Sequence, residues 1–162
     1  MAAAVAPRLS AQNAIRILVL NGRTGKPITN ECLNVFFPRG GGGLLAVDGR
    51  GVATLPIAGT ARAASPAAET RLCAPVTPRL AAPADGSFQV LGDYYVACQE
   101  YSFPHPPKQV RPSKAFPNYS IRQILRTGVV ASNTCGKARA KPKPGELIFF
   151  ERPRTFWEKL RE

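Results

Sequence analysis

The sequence predicts an all-β fold, a β-sandwich of about seven strands. Short runs of β-branched and aromatic residues alternate with turn-forming residues over the first hundred or so positions. Sixteen Pro and fourteen Gly residues, in a chain that is 44% apolar, suit short strands joined by turns. They do not suit the long segments of a helical bundle. A length of 162 residues indicates one domain with a single hydrophobic core.

The first predicted strand covers residues 15–20, in which alternate residues form one wholly apolar face. Turn-forming residues follow at 21–27 and include two glycines and a proline. Residues 35–37 then form a second β-rich run that stops at Pro38. The period-two placement of apolar residues in these and later runs predicts which side chains point inward. They are Ile17, Val19, Val35, Phe37 and Val96.

Two glycine-containing segments follow the second strand. The run Gly40–Gly43 lacks the Lys-Ser/Thr ending and the following helix of a phosphate-binding loop, so it is predicted to be a hairpin loop. Asp48–Gly49, with Gly51, is a second hairpin signal and precedes a strand at 52–55.

Three motifs together resemble the carboxypeptidase regulatory-like family, whose modules are transthyretin-like Greek-key β-sandwiches. The motifs are Thr24-Gly25-Lys26-Pro27-Ile28, Asp48-Gly49-Arg50-Gly51 and Gly92-Asp93-Tyr94-Tyr95-Val96. The resemblance covers residues 14–103 and implies a transthyretin-like binding or spacer module. An Ala/Pro-rich insertion and a long basic tail depart from the family pattern. The tail is similar to that of small secreted bacterial proteins carrying such a module, which implies export.

Three segments are therefore expected. Residues 1–12 resemble the back half of a secretory signal peptide, or form an Ala-rich disordered tail. Residues 13–103 form the β-sandwich, within which 58–86 make a long surface loop with at most one short strand near Arg71–Cys73. Residues 104–162 combine a Pro-rich connector with a basic helix–strand–helix extension packed on the same domain.

Two capping signals define the helices of that extension. Ser120 and Gln123 fit a capping box that opens a helix ending before Gly128. Thr155 and Glu158 repeat the pattern for a terminal helix, and a strand is predicted between the two helices at residues 146–150. The apolar residues of the terminal helix are expected to pack on the sandwich. They are Phe156, Trp157 and Leu160.

Four cysteines, Cys32, Cys73, Cys98 and Cys135, are widely spaced, and none forms a Cys-x-x-Cys motif. This spacing, with a single histidine, argues against a metal or redox site. Free thiols in a cytosolic protein or two disulfides in an exported one both remain open, and three pairings are possible. The even count favours disulfides. Because a Cys98–Cys135 bond would staple the tail to the sandwich, we favour that pair, with Cys32–Cys73 as the remainder.

The net charge of +12 is concentrated in the tail. Residues 108–162 hold thirteen Lys/Arg and four Asp/Glu, against nine and six in residues 1–107. The densest patch consists of Lys137, Arg139, Lys141 and Lys143. It could bind nucleic acid, an acidic polysaccharide, lipid headgroups or another anionic surface, or it could be a solvated face of an exported protein. Aromatic residues do not interleave with it, which argues against stacking on bases.

Signs of catalysis are weak. His105 lies between two prolines, where a general base is poorly held, and no Gly-x-Ser-x-Gly motif occurs. Carboxylates could still converge in space as a pair, and the candidates are Glu31, Asp48, Asp85, Asp93 and Glu100. Asp48, Asp85 and Asp93 each adjoin a glycine, as turns alone would require.

The sequence therefore predicts a non-catalytic, secreted or periplasmic module without a cofactor or bound metal. Its expected role is structural or adhesive, through an unknown protein or carbohydrate partner. The alternative is a basic protein that binds nucleic acid or an anionic surface through residues 108–162. No apolar run approaches the roughly 18 residues of a membrane span.

Overall fold

The computed structural model describes residues 13–59, 73, 80–99 and 116–160. Two sheets enclose one main apolar core, with two short helices at the periphery. In chain order the elements are β1 (Ala14–Asn21), β2 (Cys32–Phe36), β3 (Gly42–Ala46), β4 (Val52–Pro56), β5 (Ser87–Gly92), β6 (Val96–Ala97), β7 (Tyr119–Ser120), α1 (Ile121–Thr127), β8 (Val129–Val130), β9 (Glu146–Arg152) and α2 (Phe156–Lys159). The prediction of an all-β sandwich is confirmed, although the described residues form nine strands where about seven were expected.

The first sheet has the order β4–β1–β9–β6, with β8 also paired to β9. β1 runs antiparallel to β4 and parallel to β9. β9 is the strand predicted at 146–150. It was expected in an extension packed on the domain, but it lies inside the sheet between β1 and β6. Its residues are buried from Glu146 to Glu151, as a strand covered on both faces requires.

The second sheet has the order β3–β2–β5–β7. The Gly40–Gly43 run forms the β2–β3 hairpin loop and the start of β3, as predicted. The peptide N–H of Gly40 donates to the carbonyl of Phe37 (3.0 Å). Gly40, Gly41 and Gly42 all have positive φ, which explains why side-chain-free residues occupy the loop.

The turn after β1 forms where predicted, but the chain does not continue as a hairpin with β1. The N–H of Gly25 donates to the carbonyl of Asn21 (2.8 Å), and only a bridge between Leu20 and Pro27 follows. Because Pro27 lacks an N–H, it cannot extend an antiparallel ladder, and the chain crosses to β2 in the other sheet.

The predicted inward residues largely form the core. Ile17, Val19 and Val35 are fully buried, and Phe37 is partly buried against the same cluster. Val96 is the exception, because Ala97 rather than Val96 joins the core. The two-residue strand β6 pairs Ala97 with the inward-facing Glu151, and this register turns Val96 the other way.

The helices begin where the capping signals predict. The Ser120 hydroxyl accepts a hydrogen bond from the N–H of Gln123 (3.3 Å), and Ile121 and Ile124 are buried. The capping box of Thr155 and Glu158 is complete in α2. The expected packing of Phe156, Trp157 and Leu160 is wrong, because these side chains are 67%, 72% and 61% exposed. Neither helix in the described part of the chain is long and apolar enough to cross a membrane.

Candidate anion-binding surface

Four cations of the tail lie on one side of a single segment. Lys137, Arg139, Lys141 and Lys143 are exposed, whereas the residues between them are half-buried. Such alternation is the period-two pattern of an extended chain, in which successive side chains point to opposite sides. At about 3.3 Å per residue, neighbouring cations of the row are about 7 Å apart along the chain. We call Lys137, Arg139, Lys141 and Lys143 the cationic ladder.

The inward residues of this segment are small and pack on the outer face of the first sheet. Ala138 and Ala140 contact a cluster formed by Leu20, Ile148 and Phe150. Leu20 belongs to β1, and the other two belong to β9. Small side chains let the backbone lie close to the sheet, so that the long cationic side chains alone project into solvent.

The first end of the segment is tied to the residues that directly follow β1 and β6 by covalent and polar contacts. Cys135 is joined to Cys98 by a disulfide with a Cα–Cα distance of 5.3 Å. The side-chain amide of Asn133 donates to the carbonyls of Gly22 (2.8 Å) and Ala138 (3.0 Å). The N–H of Ala138 also donates to the carbonyl of Gly22 (3.1 Å). These bonds fix the position at which the ladder starts.

Two glycines allow close approach at the ends of the ladder. A Cβ atom on Gly136 would lie 2.8 Å from the Cα of Arg23, closer than real Cβ contacts allow. A Cβ on Gly128, which has φ of +74°, would collide with the backbone carbonyl of Lys143. The N–H of Gly145 donates to the carbonyl of Ile124 (2.7 Å), which ties the far end of the segment to α1.

None of the four ladder cations forms an ion pair with a residue that the structure describes. The two ion pairs of the described chain are elsewhere, between Arg16 and Glu146 and between Arg152 and Glu158. The ladder is therefore a row of cations whose charge is not neutralised by its described neighbours.

A cleft of about 610 Å³ adjoins the first two cations. Lys137 and Arg139 contribute to its wall, together with the apolar Ala131, Ala138 and Phe150. The combination offers a polar, positively charged edge beside apolar surface. The cleft is therefore a recess next to the ladder.

The other two cysteines form the second disulfide of the predicted pairing. Cys32 and Cys73 are joined, with a Cα–Cα distance of 5.6 Å. Both are fully buried beside Ala46. The two disulfides are consistent with an extracellular protein.

The candidate carboxylates that the structure describes do not gather into one group. Asp48 supports the β3–β4 turn, where its side chain accepts from the N–H groups of Arg50 (2.8 Å) and Val52 (3.0 Å). Asp85 is exposed, two residues before the start of β5. Glu100 and His105 lie outside the described residues.

Glu31 organises the turn that carries the Gly92–Val96 motif. Its carboxylate accepts from the backbone N–H groups of Cys32 (2.6 Å), Asp93 (3.2 Å), Tyr94 (2.9 Å) and Tyr95 (2.8 Å). It is 1% exposed. These four donors compensate the burial of a charged carboxylate.

Glu31 has a buried neighbour that the sequence analysis missed, Glu151 of β9. A Cβ on Gly92 would collide with the carboxyl of Glu151 and lie 2.8 Å from Oε2 of Glu31, so the two carboxyl groups meet at Gly92. Side-chain alternation along the strand could have predicted that Glu151 faces inward. Glu151 shares its strand face with Leu147 and Phe149, both in the main core.

No described N–H or O–H group donates to either carboxyl oxygen of Glu151. Burial, and then the charge of Glu31, raise the pKa of Glu151 well above its ordinary value. A protonated Glu151 can instead donate to Glu31, and this hydrogen bond also raises the pKa. Because both groups are enclosed, the pair joins the two sheets rather than forming a site open to a substrate.

Comparison of the chain with protein-family models, with curated proteins and with solved structures finds no match.

Proposed function

We propose that this protein is an exported, non-catalytic β-sandwich module, of the transthyretin-like kind, that binds an acidic polysaccharide at the cell surface or in the periplasm through the cationic ladder. The observation that carries the proposal is the ladder itself, a row of four exposed cations on a segment tied at both ends. A repeating polyanion can contact several cations of such a row at once, and each contact releases counterions.

Two observations favour a polysaccharide over nucleic acid. The ladder alternates with Ala and Pro rather than with aromatic residues, so it offers no stacking platform for bases. The two disulfides suit an oxidising compartment outside the cytosol, rather than the reducing compartments in which most nucleic acid lies. The resemblance to the carboxypeptidase regulatory-like family supports the same reading, since it implies a binding or spacer module.

The experiment measures binding of polygalacturonate, a linear uronic-acid polymer, as a function of salt concentration. The test variant replaces Lys137, Arg139, Lys141 and Lys143 with Gln. Its matched control replaces four exposed arginines that do not belong to the ladder, Arg39, Arg50, Arg122 and Arg126, with Gln. Both variants lose the same formal charge, so any difference between them reflects the position of the cations rather than the net charge.

We expect the ladder variant to lose most of its affinity and the slope of log affinity against log salt to flatten by roughly 3, the value for four lost contacts. The control variant should bind nearly as the original protein does. Equal losses in both variants would show that only net charge matters and would overturn the proposal.

A duplex DNA arm tests the nucleic-acid alternative. At physiological salt we expect duplex binding no tighter than about 10⁻⁶ M, the scale of non-specific contacts. Nanomolar, sequence-selective DNA binding that is lost in the ladder variant would replace the polysaccharide by nucleic acid as the partner.

A further inference from the structure

Three large apolar side chains are displayed together at α2. Phe156, Trp157 and Leu160 are 67%, 72% and 61% exposed. The two aromatic rings contact each other edge to face, with centroids 5.5 Å apart. We call Phe156, Trp157 and Leu160 the aromatic tip. Single exposed apolar residues are ordinary, but a cluster of three within five positions is typical of a contact surface.

The polar groups around the tip fix its base to the sandwich. Both terminal guanidinium nitrogens of Arg152, the last residue of β9, donate to the carboxylate of Glu158 (2.8 and 2.7 Å). The N–H of Thr155 donates to the same carboxylate (2.7 Å). Arg154 donates to the backbone carbonyl of Asp93 (2.7 Å). The apolar side chains are thus presented by a helix whose polar contacts point back to the domain.

The positive charge of the protein favours an anionic lipid surface over a second copy of the chain as the partner of the tip. Glu158, the one acidic residue of α2, is paired with Arg152, while Lys159 beside the tip is exposed. A second copy of the chain would bring two molecules of net charge +12 together, which is unfavourable at low and moderate salt. An anionic lipid surface, by contrast, attracts the cations and accommodates Trp and Phe at its headgroup boundary.

We propose that the aromatic tip inserts into the headgroup boundary of an anionic lipid bilayer. The surface is separate from the cationic ladder, and its partner is a lipid rather than a polysaccharide. The molecule then has two contact surfaces, one for a soluble or wall-bound polyanion and one for a membrane face.

Trp157 is the only tryptophan of the chain, so its fluorescence reports on the tip alone. The protein is mixed with phosphatidylcholine vesicles that contain or lack phosphatidylglycerol. We expect a blue shift of the emission, and protection from acrylamide quenching, with the anionic vesicles only. No shift with anionic vesicles, or vesicle binding without a shift, would overturn insertion of the tip. An equal shift with both lipids would overturn the role of lipid charge.

Phe156→Ser and Phe36→Ser are matched variants, because each removes one exposed phenyl ring from a different surface. We expect Phe156→Ser to weaken vesicle partitioning about tenfold, the value of burying one large apolar side chain, and Phe36→Ser to leave it unchanged. Both should retain the far-ultraviolet spectrum of the original protein. Equal effects of the two substitutions would contradict the proposal.

Two further readouts separate the possible outcomes. Polygalacturonate binding by Phe156→Ser should equal that of the original protein, so loss of lipid binding and loss of polymer binding are distinguishable. A lipid-independent blue shift that grows with protein concentration, together with a dimer in sedimentation, would overturn the lipid proposal and assign the tip to self-association.

Discussion

At the scale of single residues, the contact between Glu31 and Glu151 links the two sheets and makes stability depend on pH. Glu31 is supplied with four backbone donors, and Glu151 has none among the described residues. The arrangement is compatible with burial when Glu151 holds a proton, because two adjacent buried carboxylates would repel each other. Of the described charged groups, Glu31 is the one that acts on Glu151 through its charge.

The pH dependence has a defined sign. Because the pKa of Glu151 is raised in the folded state, the folded protein binds this proton more tightly than the unfolded chain does. Its contribution to the free energy of unfolding is therefore fully present below about pH 4.5, the ordinary value. That contribution falls as pH rises, until the folded-state pKa is passed.

Glu151→Gln tests this expectation, since a glutamine amide can donate to Glu31 at any pH and has nearly the same volume. Urea unfolding of both proteins is measured from pH 4 to pH 9. We expect the variant to gain stability relative to the original protein as pH rises, by about 1.4 kcal/mol for each unit by which the pKa is raised. A stability difference that does not change with pH would contradict the shared-proton account.

At the scale of elements, the Cys98–Cys135 disulfide has a role that the other disulfide lacks. It closes the segment that leads directly into the ladder, whereas Cys32–Cys73 lies in a separate cluster beside β3. The two bonds have similar sequence separations, 37 and 41 residues. Their entropic effects on the unfolded chain should thus be similar, at about 4 kcal/mol each.

Paired substitutions to Ala use this similarity as a control. We expect Cys98→Ala/Cys135→Ala and Cys32→Ala/Cys73→Ala to lower the free energy of unfolding by comparable amounts. Only the first pair should also weaken polygalacturonate binding, because it frees the first end of the ladder. Unfolding by urea and binding at low salt measure the two effects. Equal polymer binding by both variants would show that the disulfide does not position the ladder.

The elements also show what could be predicted from the sequence. β1, the β2–β3 hairpin, the Asp48 turn and both helix starts follow from local signals, such as period-two apolar residues and capping side chains. The place of β9 does not, because pairing between residues more than a hundred positions apart leaves no local trace. The same limit hid Glu151, whose partner Glu31 immediately precedes β2 of the other sheet and is far away in the sequence.

The two surfaces were only partly predictable, because the exposure of their side chains also depends on contacts between distant parts of the chain. The cations of the ladder could be named from their spacing, but their arrangement as one exposed row depends on Ala138 and Ala140 packing on β1 and β9. The aromatic tip was assigned to the interior because apolar residues at helical spacing usually face a core. Its exposure follows from two arginines: Arg152 binds Glu158 on the polar side of α2, and Arg154, just before α2, binds the backbone carbonyl of Asp93.

At the scale of the whole molecule, the central position of β9 makes the tail part of the domain. β9 covers the edge of β1 along six paired positions, and its inward residues Leu147 and Phe149 belong to the main core. A chain that ends at residue 103, where the resemblance ends, would therefore lose a central strand. It would leave the edge of β1 unpaired and apolar core surface open to solvent.

We therefore expect a protein ending at residue 103 to fail to fold cooperatively, although it contains all three motifs of the family resemblance. The control ends after Arg154 and lacks α2, which contributes no buried residue. It should fold, with a free energy of unfolding close to that of the full chain, because β9 and the core are retained. Urea unfolding and amide-proton dispersion in NMR spectra distinguish the two outcomes. A sharp unfolding transition in the protein that ends at residue 103 would show that the sandwich forms without β9, and that the tail is an appendage after all.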